Sequence, residues 1–385
     1  MARVTGIYRT ATAVDDQVRA FVPHPLPPRS PALRLDEAMV ELHAAARAAV
    51  GQLAVAGMMV PSADWFLYGF VRREAVISSQ IEGTQATLRD VLRFETTRKT
   101  DHPDDVQEVC NYVDALSYAR REIAQSKGLP LSTRLLCEAH KRLMRGARGA
   151  EKKPGEIRTS QNWIGGTRPG NARFVPPPPD VVPEAMMALE RWIHASDPLP
   201  PLVRTGLAHA QFETIHPFLD GNGRIGRLLI TLLVEHWGLL TSPLLYLSLA
   251  FKRQRAEYYD RLSAVRSHGD WEGWTTFFLT CVRTAADDGV AMAKNLFALL
   301  HKDRRVLLDF RGATIPAIRL FDQLPGQPMV TLPRAMELLE TTKPTASKAI
   351  EALRKLKILR EVTGKQRDRV YAYHGYLELL TKETD

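Results

Sequence analysis

Apolar residues recur at the three- and four-residue spacing of an amphipathic helix through most of this chain. An alanine-rich pattern predicts a helix from Asp36 to about Gly57, and a second helix follows Pro61. The same spacing predicts further helices over residues 104–126, 131–146, 183–195, 200–215 and 258–266, and a long helix that ends near residue 301. No period of solenoid length repeats, so the pattern indicates a mostly helical globular protein.

The two ends of the chain depart from this spacing. The first residues are poorly patterned, and prolines at 23, 25, 27, 28 and 31 predict an extended arm. From about Asp303 the order becomes helix, turn, helix and a two-stranded hairpin with a basic tip, over residues 332–339, 341–344, 345–356, 358–362, 364–368 and 370–373. That order is typical of a winged helix.

Basic residues concentrate in this C-terminal region. Between Lys343 and Arg369 they outnumber acidic residues by six, in a chain of 385 residues with a net charge of +9. The candidates for contact with DNA phosphates are Thr345, Ser347, Lys348, Lys365 and Arg367. DNA binding is one interpretation; a winged helix used for protein contact or dimerisation, or a merely solvated basic face, are the others.

The richest chemistry lies in residues 216–227, His-Pro-Phe-Leu-Asp-Gly-Asn-Gly-Arg-Ile-Gly-Arg. Gly221 and Gly223 permit a tight turn whose N–H groups suit an anion. The apolar run that follows has helical spacing, so we expect this turn at a helix N-terminus, where phosphate is favoured. Asp220 is a candidate ligand for Mg²⁺, which commonly takes one or two carboxylates plus phosphate oxygens.

Three further side chains of this segment complete a nucleotide triphosphate site. Arg224 and Arg227 lie three residues apart on a predicted helix and offer forked donors to phosphate. His216 is the candidate general base, because the unperturbed pKa of histidine lies near operating pH. The alternative interpretation is a capped helix start with a glycine turn and solvated arginines.

Residues 216–227 resemble the signature of Fic-family proteins, His-x-Phe-x-(Asp/Glu)-Gly-Asn-Gly-Arg-x-x-Arg, at every specified position. The resemblance implies a helical core and transfer of AMP from ATP to a protein hydroxyl, with release of pyrophosphate. It implies that His216 is the base, that Phe218 anchors the loop and that Asp220 holds Mg²⁺. The implied nucleotide contacts of the segment are Asp220, Gly221, Asn222, Gly223, Arg224, Ile225, Gly226 and Arg227. The related Doc-type kinases have a signature that resembles this one but with lysine at the position of Gly223. Glycine at 223 therefore argues against phosphorylation.

A second resemblance lies upstream, in Ser78-Ser79-Gln80-Ile81-Glu82-Gly83. By itself Glu82 is a solvated residue at the end of an amphipathic helix, with Gly83 as a stop. Beside the signature, the segment resembles the family's inhibitory motif, (Ser/Thr)-x-x-x-Glu-(Gly/Asn), at Ser78, Glu82 and Gly83. This resemblance implies that Glu82 forms a bidentate latch on Arg227 and keeps that arginine from the γ-phosphate.

A third resemblance concerns residues 154–179, which contain Pro-Gly-Glu-Ile-Arg, an extended pair before two glycines, and four consecutive prolines. They resemble the family's flap, a β-hairpin that clamps the target side chain by strand addition; an ordinary surface hairpin is the alternative. Ile164, Gly165 and Gly166 are predicted to line the ATP site. Tyr258 and Tyr259 resemble a pair near the adenine, although an aromatic pair on a helix more often packs in a core.

The predicted fold class is therefore all-α: a Fic helical core with a β-hairpin flap, plus a C-terminal winged-helix domain. We expect three units: an N-terminal helical region with the inhibitory helix over 1–100, the catalytic core over 101–302 and the winged helix over 303–385.

Composition restricts the setting of the protein. Apolar content of 45% and charged content of 25% are typical of soluble globular proteins. No apolar run reaches the roughly 18 residues of a membrane helix, and no secretory h-region follows the N-terminus. Cys110, Cys137 and Cys281 are odd in number and widely spaced, which indicates reduced thiols in the cytoplasm.

These observations predict a self-inhibited protein adenylyltransferase that uses ATP and Mg²⁺, acts on a protein substrate and, by resemblance, forms a homodimer. Two alternatives remain. In the first, the same site is that of an enzyme that removes AMP from a protein with the help of Glu82. In the second, the protein is a DNA-binding transcriptional regulator whose Fic core senses a nucleotide.

Overall fold

The computed structural model describes residues 3–14, 16–58, 63–146, 149 and 151–384. The helices are α1 Glu37–Met58, α2 Ala63–Ile81, α3 Leu88–Thr97, α4 Pro103–Ala124, α5 Thr133–Leu143, α6 Val182–His194, α7 Pro201–Ile215, α8 Asn222–His236, α9 Ser248–Arg253, α10 Arg255–His268, α11 Trp271–Asp309, α12 Ile315–Gln323, α13 Leu332–Leu339, α14 Lys343–Lys355 and α15 His374–Thr381. The strands are β1 Gly6–Ala13, β2 Asp16–Pro23, β3 Met329–Thr331, β4 Leu359–Glu361 and β5 Val370–Tyr373. The predicted all-α class is confirmed as a mostly helical fold with small antiparallel sheets.

Helix α7 lies at the centre of the core and is buried on all sides after its first residue. Arg204 joins it to the end of α6, because its Nη2 donates to the Trp192 carbonyl at 2.8 Å. Gly206 leaves room for Phe278, whose ring lies 2.8 Å from where a Cβ would stand, and the Gly206 carbonyl accepts from Trp274 Nε1 at 2.9 Å. A helix buried in this way gives the loop that follows it a rigid base.

Helix α11 is the longest element and packs along α1. Gly289 makes this approach possible, because a Cβ there would lie 2.8 Å from Leu53 Cδ1. The helix continues to Asp309 rather than ending near residue 301, and the fully buried Leu307 explains the extension.

The poorly patterned first residues form a hairpin that the sequence did not predict. Strands β1 and β2 form an antiparallel hairpin with Thr10 opposite Arg19. Val18 and Ala20 of β2 are buried and pack with Val175, while β1 is largely exposed. The sequence signal for this hairpin was the short alternation of apolar and polar residues in β2. The largely exposed strand β1 has no such pattern.

Four helices were also missed: α3, α9, α12 and α15. Helix α3 begins with a capping box, in which Thr87 N donates to Asp90 Oδ2 at 2.9 Å and Asp90 N to Thr87 Oγ1 at 3.2 Å. Helix α12 has a simpler N-cap, in which the Thr314 side chain accepts from Ala317 N, and α15 follows β5 directly. All are short, so their periodicity was weak.

The predicted β-hairpin flap is reduced to one bridge pair, Ile164 with Phe174, around a 3₁₀ turn at Pro169–Asn171. Ile164 N donates to Phe174 O at 2.9 Å, and Phe174 N to Ile164 O at 3.2 Å. Gly165 and Gly166 have φ of 68° and 77°, which turns the chain away from a longer ladder. The prolines at 176–179 supply no donors to extend it.

The C-terminal region contains α12, β3, α13, α14 and a three-stranded sheet in the order β3-β5-β4. The predicted helix 332–339 and strand 370–373 coincide with α13 and β5. Helix α14 begins at Lys343, inside the predicted turn, because Pro344 fits the first turn of a helix. Its assignment to the winged-helix class stays a prediction.

Two further features of the described part of the chain are the apolar character of its helices and the state of its cysteines. None of its helices combines the length and the apolar character needed to cross a membrane. The thiols of Cys110, Cys137 and Cys281 are free, and burial raises the pKa of Cys281 to about 12.

Candidate active site

The loop between α7 and α8 is fixed by its own backbone and by one amide side chain. His216 ends α7 in the left-handed region, with φ 51°, and its N–H donates to Phe212 O at 2.9 Å. Asn222 closes the loop: its Oδ1 accepts from Phe218 N at 2.9 Å and its Nδ2 donates to Phe218 O at 2.8 Å. Gly221, with φ 75°, precedes the first residue of α8. The predicted helix N-terminus is confirmed. The Asn222 side chain stabilises the loop through its two hydrogen bonds to Phe218.

Phe218 anchors the loop by stacking on His140, with ring centres 3.9 Å apart and planes 6° apart. His140 Nδ1 accepts from Gly155 N at 2.9 Å, so Nε2 carries the proton and donates to Asp220 O at 3.0 Å. Burial lowers the pKa of His140 to about 4, which keeps this arrangement neutral. A single histidine in a helix carried no sequence signal for this role.

His216 is half-buried at the mouth of the loop. Burial, followed by the charges of Arg158 and Arg266, lowers its pKa to about 3, and the Glu213 carbonyl partly offsets the shift. The pKa of His216 therefore lies below the unperturbed value on which the sequence argument relied. The imidazole is neutral at pH 7 and can accept a proton, but it is a weaker base than an unperturbed histidine.

Arg227 is the best-connected side chain of the signature. It is 2% exposed, and its Nε donates to Ser78 Oγ at 2.8 Å. Its Nη2 donates to Ser78 O at 2.9 Å and to Glu82 Oε1 at 2.7 Å. The contact between Glu82 and Arg227 thus exists, but through one oxygen and one nitrogen rather than as the expected bidentate pair. Burial disfavours the charge of Arg227, but Glu82, together with Tyr258 and Glu213, outweighs burial and raises the pKa of Arg227.

The position of Glu82 follows from the end of α2. The helix stops at Ile81, and Gly83 turns the chain with φ 101°. The Glu82 carboxylate then lies above Gly223, so closely that a Cβ at Gly223 would contact its Oε1 and lie 3.0 Å from Arg227 Nη1. Glycine at 223 is therefore required for the Glu82–Arg227 pair as well as for a close approach of phosphate.

Arg224 lies on the other side of the helix start and is 4% exposed. Its Nη1 lies 3.3 Å from Glu108 Oε2, which also accepts from Thr84 Oγ1 at 2.7 Å. Its Nη2 lies 3.7 Å from Asp220 Oδ1. Two acidic groups therefore share this guanidinium, and Asp220 remains the exposed one.

A Mg²⁺ ion at this position fits the donor set. Asp220 is a single exposed carboxylate at a helix N-terminus, and no cluster of three or more potential metal ligands occurs among the described residues. That matches an ion held mainly by phosphate oxygens and water with one protein carboxylate.

A buried layer lies beneath α8. His209 Nδ1 donates to Gly226 O at 2.9 Å, so its Nε2 accepts from the Tyr258 hydroxyl at 2.9 Å. Gly226 is needed here because a Cβ would contact Glu213 Oε1. Burial raises the pKa of Glu213 to about 7, and Arg227 opposes this.

Two of the expected nucleotide contacts, Tyr258 and Ile225, lie buried in or beside this layer. Tyr258 is 2% exposed and packs in the core, with its ring 4.6 Å from that of Phe251. Ile225 is fully buried as well. Tyr259 is only half-buried and lies close enough to Glu82 for that charge to add to the effect of burial in raising its pKa.

Asn162 is one of the side chains that tie the flap to the loop, and its Nδ2 donates to Phe218 O at 3.1 Å. Ile164 beyond it is half-buried, and Gly165 and Gly166 are exposed. Asp16 Oδ2 of β2 accepts from Gly170 N at 3.0 Å, so the N-terminal hairpin supports the tip of the flap. Sequence reasoning missed this support.

Two family sequence profiles match the chain: Fic/DOC family N-terminal over residues 40–121, which include Glu82, and Fic/DOC family over residues 130–234, which include the whole signature loop. The chain belongs to the Fic family. Its long-range pairing of Glu82 with Arg227 therefore joins the two matched regions.

Relatives named protein adenylyltransferase Fic are similar to this Fic protein. The one from Drosophila grimshawi is 30% identical over 212 residues, 54% of this chain and 40% of that protein. The one from Nematostella vectensis is 28% identical over 237 residues, 60% of this chain and 51% of that protein. The chain thus spans about two fifths to one half of the length of these relatives.

Solved Fic structures share the fold. A Fic family protein from Desulfovibrio desulfuricans G20 superposes with a TM-score of 0.59 at 22% identity, over 89% of this chain and 97% of that chain. A Fic domain containing signaling protein from Bacteroides thetaiotaomicron gives a TM-score of 0.52 at 19% identity, over 65% of this chain and 97% of that chain.

Proposed function

We propose that this Fic protein is a protein adenylyltransferase whose activity is held down by Glu82. The observation that supports the proposal most is the arrangement around Arg227: a signature loop with a neutral histidine, and a carboxylate from a distant helix on its last arginine. The relatives named protein adenylyltransferase agree with it over the matched region.

The transfer step uses groups that the loop presents. The hydroxyl of a target Tyr, Thr or Ser attacks the α-phosphorus of ATP, its proton passes to His216, and the bond to the bridging oxygen breaks to release pyrophosphate. His216 is in the neutral form that this step needs. Arg224 and Arg227 supply positive charge to the phosphates, which is the main contribution expected in phosphoryl chemistry. Mg²⁺, held by Asp220, would supply further charge neutralisation.

Inhibition follows from competition for one nitrogen. Glu82 Oε1 occupies Arg227 Nη2 at 2.7 Å, and its carboxylate covers Gly223. A γ-phosphate directed at the same nitrogen must displace the carboxylate or bind in another pose. Because Glu82 is 35% exposed and ends a helix, it can move without unpacking the core.

The proposal also covers the division of the chain into units, the role of the flap, the oligomeric state and the location. The units are the N-terminal region 1–100, the catalytic core 101–302 and the C-terminal region 303–385. The flap presents Ile164, Gly165 and Gly166 to a target strand and to ATP. A homodimer and a cytoplasmic location remain predictions from the resemblance and the cysteines.

The test is intact mass after incubation of the whole chain with ATP and Mg²⁺. We expect an AMP-sized gain in Glu82→Gly, little in the unsubstituted protein and none in Glu82→Gly/His216→Ala. Glu340→Gly is the control, because Glu340 also directly follows a helix but lies in the C-terminal region. No gain in Glu82→Gly would contradict the proposal. A gain that the unsubstituted protein then removes would favour the de-adenylylating alternative.

A second proposed function, DNA binding, rests on the exposed basic face of the C-terminal region, assigned here as a winged helix. Ser347 and Lys348 are exposed on α14, and Lys365 and Arg367 on the hairpin tip. We expect a mobility shift with duplex DNA that weakens steeply with salt and with Lys348→Ala/Lys365→Ala. No shift at low salt would contradict it, and a shift that ATP modulates and His216→Ala preserves would favour the regulator alternative.

A further inference from the structure

Arg158 is a buried cation in an unusual setting. It is 1% exposed, and each of the four hydrogen bonds of its guanidinium to described residues ends on a backbone carbonyl. These bonds run from Nε to His216 O at 2.9 Å, from Nη2 to Pro177 O at 2.5 Å and Ile215 O at 3.4 Å, and from Nη1 to Ser160 O at 3.3 Å.

Two of these carbonyls, those of Ile215 and His216, need donors because α7 ends at these residues. The last carbonyls of a helix have no partner within it, and Pro217 cannot donate an N–H to them. Arg158 covers the carbonyls of Ile215 and His216 with its side chain and that of Pro217 with its own N–H, at 2.9 Å. The left-handed conformation of His216 is thereby held from both sides, since its N–H is bound to α7.

The charge of Arg158 acts on the same histidine. Burial lowers the pKa of Arg158 to about 10, so the group stays charged at pH 7. Its charge is the second cause, after burial, of the lowered pKa of His216, and Arg266 from α10 adds to it. The same side chain therefore fixes the backbone of His216 and favours its neutral imidazole.

We propose that Arg158 is a positioning residue for His216, whose forked donors aim the imidazole at the reacting hydroxyl by holding residues 215–217. This role rests on the proposed transferase function. It predicts that the fork, and not only the charge, is required, because a lysine can reach one carbonyl but not carbonyls of the loop and of Pro177 together.

The experiment compares Arg158→Lys with Arg168→Lys, a control at an exposed flap arginine, both in Glu82→Gly. We expect the single-turnover rate of self-adenylylation to fall about tenfold or more in Arg158→Lys, with the Kd of a non-hydrolysable ATP analogue unchanged within about twofold. An unchanged rate would overturn the proposal. A parallel loss of analogue binding would also overturn it, because the whole site would then depend on Arg158.

A second readout separates this inference from the proposed function. In ¹³C-histidine spectra we expect Arg158→Lys to shift the His216 resonances and Arg158→Met to raise the His216 pKa, whether or not AMP is transferred. If Glu82→Gly transfers nothing, the transferase proposal fails, and unchanged His216 spectra in both variants would show that the positioning inference fails independently.

An independent observation concerns the segment 380–384, which lies along α2. Leu380 packs on Gly69, where a Cβ would lie 2.9 Å from its Cδ1, and the Lys382 carbonyl accepts from Arg73 Nη2 at 3.1 Å. Further along, the Thr384 carbonyl accepts from Gln80 Nε2 at 2.9 Å. The segment therefore follows the inhibitory helix to within two residues of Glu82.

Side chains of α9 complete this contact. Glu383 pairs with Arg253, and Lys252 Nζ donates to Gln80 Oε1 at 2.7 Å. Gln80 is thus bound on one side by segment 380–384 and on the other by α9. The segment directly continues α15, which follows β5 of the C-terminal sheet.

We infer that segment 380–384 is a clamp that keeps the end of α2, and hence Glu82, on Arg227. Binding of a partner to the C-terminal region has a direct route to the inhibitory contact, through α15. This inference also rests on the proposed function, because it concerns the release of the same inhibition.

Charge reversal at Glu383 tests the clamp. Glu383→Lys places a cation beside Arg253 and Arg73, whereas Glu378→Lys makes the same change at an exposed residue of α15 paired with His374. We expect Glu383→Lys, and not Glu378→Lys, to speed amide exchange in residues 77–84 and to raise self-adenylylation about fivefold or more. The increase should vanish in Glu82→Gly. Unchanged exchange in residues 77–84 would overturn the inference even if no transferase activity were found.

Discussion

Arg227 and Arg158 are two buried guanidiniums of one site, and their partners differ. Arg227 is bound by a serine and by the carboxylate of Glu82, which is 35% exposed at a helix end. Arg158 is bound by carbonyls of a loop that two buried helices hold in place. A cation whose counter-charge is on a mobile side chain can exchange that charge for a phosphate, whereas one held by fixed carbonyls cannot. The first arrangement suits regulation and the second suits positioning.

The other acids near Arg227 strengthen this contrast. Burial raises the pKa of Glu213 and of Glu74 to about 7, so both are partly protonated at neutral pH. Glu82 is the acid that binds Arg227 directly, at 2.7 Å. When Glu82 moves away, the buried guanidinium of Arg227 loses its negatively charged partner. A phosphate of ATP can take the place of that partner.

The largest effect is expected from Arg227 itself. In Glu82→Gly, Arg227→Lys keeps a charge but loses the fork, so we expect kcat/KM for ATP to fall about a hundredfold. Steady-state kinetics with pyrophosphate detection measure it. Arg255→Lys, at an exposed arginine that donates to the Ile81 carbonyl, should change kcat/KM far less. Equal effects of the two substitutions would remove the special role of Arg227.

A smaller effect is expected on stability when the pair loses its charge. Glu82→Gln leaves Arg227 without a carboxylate, and we expect the free energy of unfolding to fall by about 1–2 kcal/mol, limited by the exposure of Glu82. Denaturant unfolding measures the loss, and ATP with Mg²⁺ should restore more stability to Glu82→Gln than to the unsubstituted protein. An equal gain in both would argue against phosphate replacing the carboxylate.

A third effect concerns the pH dependence of stability and Glu74, which is buried and binds Ser248. Its folded pKa of about 7 is raised above the usual value, so its stabilising contribution is complete below about pH 4.5 and is lost as pH rises through 7. We expect Glu74→Gln to flatten this part of the stability profile by about 1–3 kcal/mol, measured as unfolding free energy from pH 5 to 8. An unchanged slope would show that Glu74 is ionised throughout.

What the sequence predicted well was local. The signature loop and its helix start follow from adjacent residues, and α13 and β5 follow from strong short patterns. The anchoring role of Phe218 was available only through the resemblance. The pairing of Glu82 with Arg227 was available only through the resemblance, because 145 positions separate the two residues.

What it missed depended on distant partners. His140 and Arg158 act through backbone groups, and a carbonyl or an N–H leaves no trace in residue type. The pKa of His216 shifted because burial and two arginines from other elements surround it. Tyr258 belongs to the core because its hydroxyl meets His209, a partner that spacing does not indicate.

The central claim is that Glu82 and the γ-phosphate compete for Arg227, and nucleotide affinity tests it most directly. Isothermal titration with Mg²⁺ would give the Kd of a non-hydrolysable ATP analogue and of ADP for the unsubstituted protein and for Glu82→Gly. We predict that the substitution tightens the ATP analogue about tenfold or more and ADP by much less. Equal tightening of both nucleotides, or none, would contradict the claim.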